Sequence, residues 1–89
     1  MTAKRFIVRG RVQGVNFRAT AAEQARRLGL TGRIWNREDG AVEAEADGAA
    51  DALERFEAWL RRGPSYAEVD SVAAEPFTGA ATHRGFSIG

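Results

Sequence analysis

The run Val8-Arg9-Gly10-Arg11-Val12-Gln13-Gly14-Val15-Asn16-Phe17-Arg18 holds the residues of this chain best suited to chemistry. It reads as a strand that enters a glycine-containing loop and then a helix, with Arg18 at the helix start. Gly10 and Gly14 let the backbone curl with no Cβ in the way. The N–H groups of the 13–18 region can then point into the curl, and the helix N-terminus adds partial positive charge. The planar guanidinium of Arg18 can clamp two oxygens at once, a geometry that lysine cannot supply. The ligand that suits this set is an anion such as a phosphate group. From the residues alone a second account stands beside it: a tight strand-to-helix turn with a surface arginine.

Asn36 is the second candidate. It ends a strand just before the turn Arg37-Glu38-Asp39-Gly40. Its carboxamide offers a donor and an acceptor together, which is what holding a water molecule requires. Asparagine at that place also serves simply as a turn former. Other chemistry is missing. The absence of cysteine removes disulfides, thiolate zinc sites and a cysteine nucleophile. The single histidine, His83, lacks the partners that a His-based metal site needs, and its Gly/Thr/Ala-rich surroundings read as a solvent-facing loop. Glu43 and Glu45 alternate with alanines, so they read as the wet face of a strand rather than an acid/base pair. No aspartate cluster has calcium-loop spacing. The loop of residues 10–18 is too short for a Walker A motif and lacks its lysine. The strand around residues 42–46 carries none of the aromatics of an RNA-recognition sheet. The expectation is therefore a site without metal or cofactor.

Eighty-nine residues make a single domain, 1–89, that buries about 60–65% of its unfolded surface. The formal net charge of +1 is too small for a general nucleic-acid binder. Its distribution says more: residues 1–22 hold five basic and no acidic residues, whereas residues 23–89 hold eight basic and twelve acidic. Positive field is concentrated on the segment with the glycine loop, which suits a small anionic ligand. No apolar run approaches the roughly 18 residues of a membrane span, and no signal-peptide pattern precedes the first strand. A cytoplasmic monomer with no nucleic-acid or membrane partner is expected. Twelve arginines against one lysine, with many alanines, point to a GC-rich bacterial genome.

The elements that position these residues follow from periodicity. Lys4 to Gly10 reads as the first strand and Gly10 to Val15 as the loop. Asn16 is the expected N-cap of a helix running to Leu28, with Phe17, Ala21, Ala25 and Leu28 as its buried stripe. Gly29 and Leu30 suit a Schellman ending. Gly32 to Asn36 is the second strand, Asp39-Gly40 a hairpin turn, and Ala41 to Ala46 the third strand. Asp47 or Gly48 is the expected cap of a second helix, whose apolar face is Ala52, Leu53, Phe56, Trp59 and Leu60. Gly63-Pro64 stops it. Tyr66 to Pro76 reads as a fourth strand, with Val69 and Val72 spaced three apart as at a bulge. Thr78 to Arg84 is a loop, and Phe86 and Ile88 form a short fifth strand. The order β-α-β-β-α-β-β predicts an α+β, ferredoxin-like split βαβ sandwich: a mostly antiparallel sheet with two helices on one face.

Two runs resemble the signatures of the acylphosphatase family. The first is Gly10-Arg11-Val12-Gln13-Gly14-Val15-Asn16-Phe17-Arg18. The second is Gly32 to Asn36 followed by Arg37-Glu38-Asp39-Gly40-Ala41-Val42, with Gly48 after five more residues. The resemblance covers nearly the whole chain, including the closing Phe86-Ser87-Ile88. It departs at one place: the family usually sets an aromatic directly after the second signature's glycine and a basic or small residue before the asparagine, whereas here Arg33 and Trp35 are exchanged. Both lie on one strand face, where the exchange is expected to bear on substrate preference at the rim. The resemblance implies metal-free hydrolysis of acyl phosphates to a carboxylate and inorganic phosphate. It implies that Arg18 binds the phosphate, that the backbone of Val12, Gln13, Gly14, Val15, Asn16 and Phe17 completes the cradle, and that Asn36 positions the attacking water. The alternatives are a non-catalytic anion-binding or regulatory module on the same fold, and a carbamoyl-phosphate-handling domain of a larger maturation enzyme.

Overall fold

Alternating and helical apolar patterns divide the described residues into seven elements. The computed structural model describes residues 2–14, 16–77 and 85–89. The elements are β1 (Thr2–Arg11), α1 (Phe17–Arg27), β2 (Thr31–Asn36), β3 (Val42–Gly48), α2 (Ala50–Arg62), β4 (Glu68–Pro76) and β5 (Phe86–Ile88). The strands form one sheet in the order β4-β1-β3-β2-β5. Every neighbouring pair is antiparallel except β2 and β5, which run parallel. The expected α+β sandwich is the observed one. The expected loop at 78–84, with His83, lies outside the described residues.

The core is the layer between the sheet and the two helices. Phe6, Val8, Ile34, Val42, Ala44 and Phe86 come from the strands, and Phe17, Ala21, Ala22, Ala25, Leu53, Phe56 and Leu60 from the helices. Alternation along each strand sends these residues to one face. Phe56 is fully buried at the centre, with ring centroids 5.6 Å from Phe6 and 5.9 Å from Phe86. Small alanines on α1 let it sit close over β2 and β5, while the bulkier face of α2 covers β4, β1 and β3.

Several boundaries follow their local chemistry. Gly29 has φ +74°, and α1 closes with Leu30 N–H donating to Ala25 O (2.9 Å) and Gly29 N–H to Arg26 O (3.1 Å), the expected Schellman pattern. The irregularity in the fourth strand is also present. Arg9 faces Ser71 while Gly10 faces Val69, so Asp70 is the extra residue of a bulge. Gly10 has φ +131° there, and a Cβ on it would run into the Glu68 carbonyl.

Two caps differ from expectation. Asp47 and Gly48 do not cap the second helix but extend β3, where they pair with Ala3 and Thr2 of β1. Ladder hydrogen bonds on a central strand hold both residues extended, and Ala49 takes the cap position with no side-chain bond. Asn16 precedes α1 as expected, but in the left-handed region (φ 62°) and with no side-chain cap bond. A capping side chain works from an extended backbone, and the left-handed turn takes the Asn16 side chain out of that geometry. The fourth strand begins at Glu68, because Tyr66 and Ala67 belong to a turn closed by Ala67 N–H donating to Pro64 O (3.0 Å).

The helix-free face of the sheet is not simply wet. The side chains of Glu43 and Glu45 are only 14% and 12% exposed. Arginines cover them: Arg5 lies 3.2 Å from Glu43, Arg37 3.1 Å from Glu43, and Arg33 3.2 Å from Glu45. Arg33 also stacks on Trp35, with its guanidinium carbon 4.2 Å from the ring centroid. Glu75 of β4, Arg5 of β1, Glu45 of β3 and Arg33 of β2 stand in one row across the sheet, so the charges pair across strands.

Candidate active site

The β1-to-α1 connection carries the first set of site residues. Gly14 has φ +77° and Asn16 φ 62°, so the backbone is left-handed at both positions. Glycine takes that conformation without strain, and asparagine is among the few other residues that tolerate it. The turn delivers the chain into α1 with no acidic residue in its first turn and no side chain capping its first N–H groups. The first four N–H groups of a helix have no partner within it, so an anion is what this end can accept. Thr20 ties the turn to the helix, donating from Oγ to Asn16 O at 2.8 Å.

Arg18 follows one residue into α1. Its Nη1 donates to Gly89 O at 2.6 Å, just after β5. One of the five guanidinium N–H groups is thereby used to aim the fork, leaving the others for a ligand. Eight residues further along the same helix, Arg26 donates from Nε (3.1 Å) and Nη2 (2.7 Å) to Phe86 O, at the start of β5. This short edge strand is thus held at both ends by arginines of α1.

Asn36 ends β2 and shares the face of buried Ile34, two residues back, so it projects to the helix side of the sheet. The hairpin turn beyond it is braced. Asp39 accepts from Ala41 N–H at 3.1 Å and from Arg37 at 3.2 Å, and it pairs with Arg9 of β1 at 3.2 Å. The Ala41 N–H, then Arg9 and Arg37, hold the Asp39 carboxyl below the usual carboxylate range. Gln13 reaches over from the loop and donates from Nε2 to Arg37 O (2.9 Å) and Ala41 O (3.0 Å).

These elements meet at a cleft of about 360 Å³, lined by Val12, Gly14, Asn16, Phe17, Arg18, Ala19, Asn36 and Ile88. That volume lies at the small end of the range of about 300–1,000 Å³ for small-molecule sites. The cleft brings together both residues singled out for chemistry, Arg18 and Asn36, although 18 positions separate them. Of the expected cradle, Val12, Gly14, Asn16 and Phe17 line it. Gln13 does not, because its side chain turns to the hairpin. Val15 lies outside the described residues. Ala19 and Ile88 are lining residues that sequence reasoning missed. Ile88 was legible in principle: it repeats the inward phase of Phe86, but past the reach of the helix, and it is left 44% exposed.

Arg33 and Trp35 are not among the lining residues. They sit at the opposite phase of β2 from Ile34 and Asn36, on the helix-free face. Their exchange therefore alters the arginine–glutamate layer and not the rim of the cleft. Among the described residues, no group of three or more His, Cys, Asp or Glu side chains could hold a metal ion, and no helix is long and apolar enough to cross a membrane.

Comparison with known proteins agrees along the whole chain. The acylphosphatase family model matches residues 4–88. An acylphosphatase of Azoarcus sp. (strain BH72) is 50% identical over 72 residues, covering 81% of this chain and 74% of the relative. One from Roseiflexus sp. (strain RS-1) is 42% identical over 88 residues, covering 99% and 95%. The crystal structure of acylphosphatase from Bacillus subtilis superimposes with a TM-score of 0.93 at 36% identity, covering 99% of this chain and 98% of that one. With the fold, the two sequence runs and the cleft between them in agreement, the chain belongs to the acylphosphatase family.

Proposed function

We propose that the cleft hydrolyses the carboxyl–phosphate bond of acyl phosphates, with Arg18 and the α1 N-terminus holding the phosphate and Asn36 holding the attacking water. The observation that supports this reading is the meeting of Arg18, an uncapped helix N-terminus and Asn36 in one cleft. The phosphate oxygens are received by the backbone of residues 12–17 and by the Arg18 fork. The water oxygen attacks phosphorus, the bond from phosphorus to the acyl oxygen breaks, and the carboxylate leaves with the electron pair. The water's proton passes to a phosphate oxygen, so the products are a carboxylate and inorganic phosphate.

A carboxylate is a good leaving group and asks for little acid assistance. Positioning the water and stabilising charge on the equatorial oxygens then provide the rate. Both are what this site offers. A non-catalytic anion binder on the same scaffold would use Arg18 but has no use for Asn36.

The test is hydrolysis of benzoyl phosphate in the presence of a chelator, with inorganic phosphate as competitor. Arg18→Ala is expected to lose phosphate inhibition and turnover together. Asn36→Ala is expected to lose turnover while phosphate inhibits as before. Each loss should reach about 3 kcal/mol of transition-state stabilisation, on the order of 10²-fold, as for an oxyanion donor. Wild-type turnover by Asn36→Ala would overturn the water-holding role. The protein acts as a monomer in this reading, since the exposed large apolar side chains among the described residues are Tyr66 and Ile88, and Ile88 belongs to the cleft. The absence of cysteine fits a cytoplasmic setting.

A further inference from the structure

The phosphate cradle and Asn36 come from different parts of the chain, so something must fix the distance between them. Covalent connection does not: α1 and most of β2 intervene. Among the described residues, two direct side-chain links join the β1 side to the turn of residues 37–41. One is the ion pair of Arg9 with Asp39, whose side chains are 50% and 41% exposed. An exposed pair is screened and flexible, and it is a poor ruler. The other is Gln13.

The Gln13 carboxamide is spent entirely on the hairpin as a donor. Both hydrogens of Nε2 are placed, one on Arg37 O at 2.9 Å and one on Ala41 O at 3.0 Å. Those carbonyls already close the turn, accepting from Gly40 N–H (3.3 Å) and Arg37 N–H (2.8 Å). Gln13 therefore fills their second lone pairs and grips both sides of the turn at once. Gln13 is bonded to Gly14, a lining residue of the cleft, and Arg37 is bonded to Asn36, another. A path of one hydrogen bond thus joins the two halves of the site, through Gly14, Gln13, Arg37 and Asn36, beside the backbone ladders by which β3 holds β1 and β2 and the tie from Arg18 through Gly89 to Ile34.

We infer that Gln13 is a positioning residue: its side chain touches no substrate but sets the separation between the phosphate cradle and the Asn36 carboxamide. The inference rests on the water-holding role of Asn36. In-line attack is steep in distance, and a misplacement of about 1 Å can cost on the order of 10²-fold in rate. Gln13→Met keeps the length and bulk of the side chain and removes both donors.

The experiment compares Gln13→Met, Asn36→Ala and the double variant with wild type, using benzoyl phosphate turnover and inhibition by inorganic phosphate. Gln13→Met is expected to lower kcat by about 10- to 100-fold, within the loss that misplacement brings. The inhibition constant for phosphate should move less than about threefold, a shift below one kcal/mol. In the Asn36→Ala background the same change should lower kcat by less than about twofold, because coupled residues do not add. Full additivity, unchanged kcat in Gln13→Met, or a phosphate affinity that falls in step with kcat would each overturn the inference. If Asn36→Ala alone turns over like wild type, the water-holding role has failed. If Asn36→Ala is impaired and Gln13→Met is not, only the positioning role has failed. Gln13→Glu, of the same shape but setting carboxylate oxygens against two carbonyls, is a second variant expected to lose at least as much kcat. It decides the matter should the methionine variant fold poorly.

Discussion

In the proposed reaction, Arg18 and Asn36 divide the work of the cleft by what their side chains can do. The guanidinium is a fixed charge with several donors in one plane, and Gly89 O takes one of them, so the fork is aimed before a ligand arrives. The Asn36 carboxamide carries no charge and does not titrate. Among the described residues, none of the eight that line the cleft is Asp, Glu, His, Lys, Cys or Tyr. Turnover is accordingly expected to show no side-chain titration between about pH 6 and 8, the range in which histidine or a perturbed carboxylate would appear. The measurement is kcat against pH at saturating substrate, and a steep limb in that window would argue against proton transfer within the substrate. Arg18→Lys keeps the charge but loses the planar fork, and it is expected to recover little of the activity lost in Arg18→Ala.

At the scale of elements, the site depends on a hairpin turn that its own residues make stiff. Asp39 accepts from the Ala41 N–H and pairs with Arg9 and Arg37, and these hold its carboxyl below the ordinary value of about 3.9. The sign follows from linkage. A carboxyl with a folded-state value below its unfolded value stabilises the fold fully above the unfolded value, and that contribution fades as pH falls through the folded one. Asp39→Asn should therefore lower the thermal midpoint at pH 7, and the gap to wild type should narrow below about pH 4 as the wild-type carboxyl protonates. Thermal unfolding of both proteins at pH 7 and pH 3 reads the difference directly. An equal gap at both values would mean that the carboxylate's charge contributes nothing to the turn.

For the whole molecule, the two faces of the sheet have separate tasks. The helix-covered face holds the core and, at one end, the cleft; the other face holds paired arginines and glutamates. A fold of this size has little stability to spare, on the order of 5–15 kcal/mol. Phe56 joins α2 to Phe6 on β1 and to Phe86 on β5 and is fully buried. Phe56→Ala is expected to cost about 3–5 kcal/mol. The thermal midpoint should fall by roughly 4–8 °C for each of them. Calorimetry or thermal circular dichroism measures this, and a fall of only a few degrees would mean that the cavity collapses around the missing ring.

The amino-acid sequence determined by itself the element order, the buried stripes and the two runs that carry the site. These are local or periodic properties: alternation for strands, three- and four-residue spacing for helices, glycine where the backbone turns left-handed. It made the family legible, together with Arg18 and Asn36. It misplaced the cap of the second helix, because Asp47 and Gly48 carry turn chemistry locally but are claimed by β1 through cross-strand bonds. It took Glu43 and Glu45 as wet, because alternation reveals which face a residue is on and not which arginines from other strands cover it. Three further matters belonged to the tertiary structure: the Arg33–Trp35 pair lies off the cleft, Ile88 lines it, and Gln13 spans from the cradle to the hairpin. Each depends on how elements far apart in the chain come together, and no spacing along the sequence encodes the distance at which two strands and a loop come to rest.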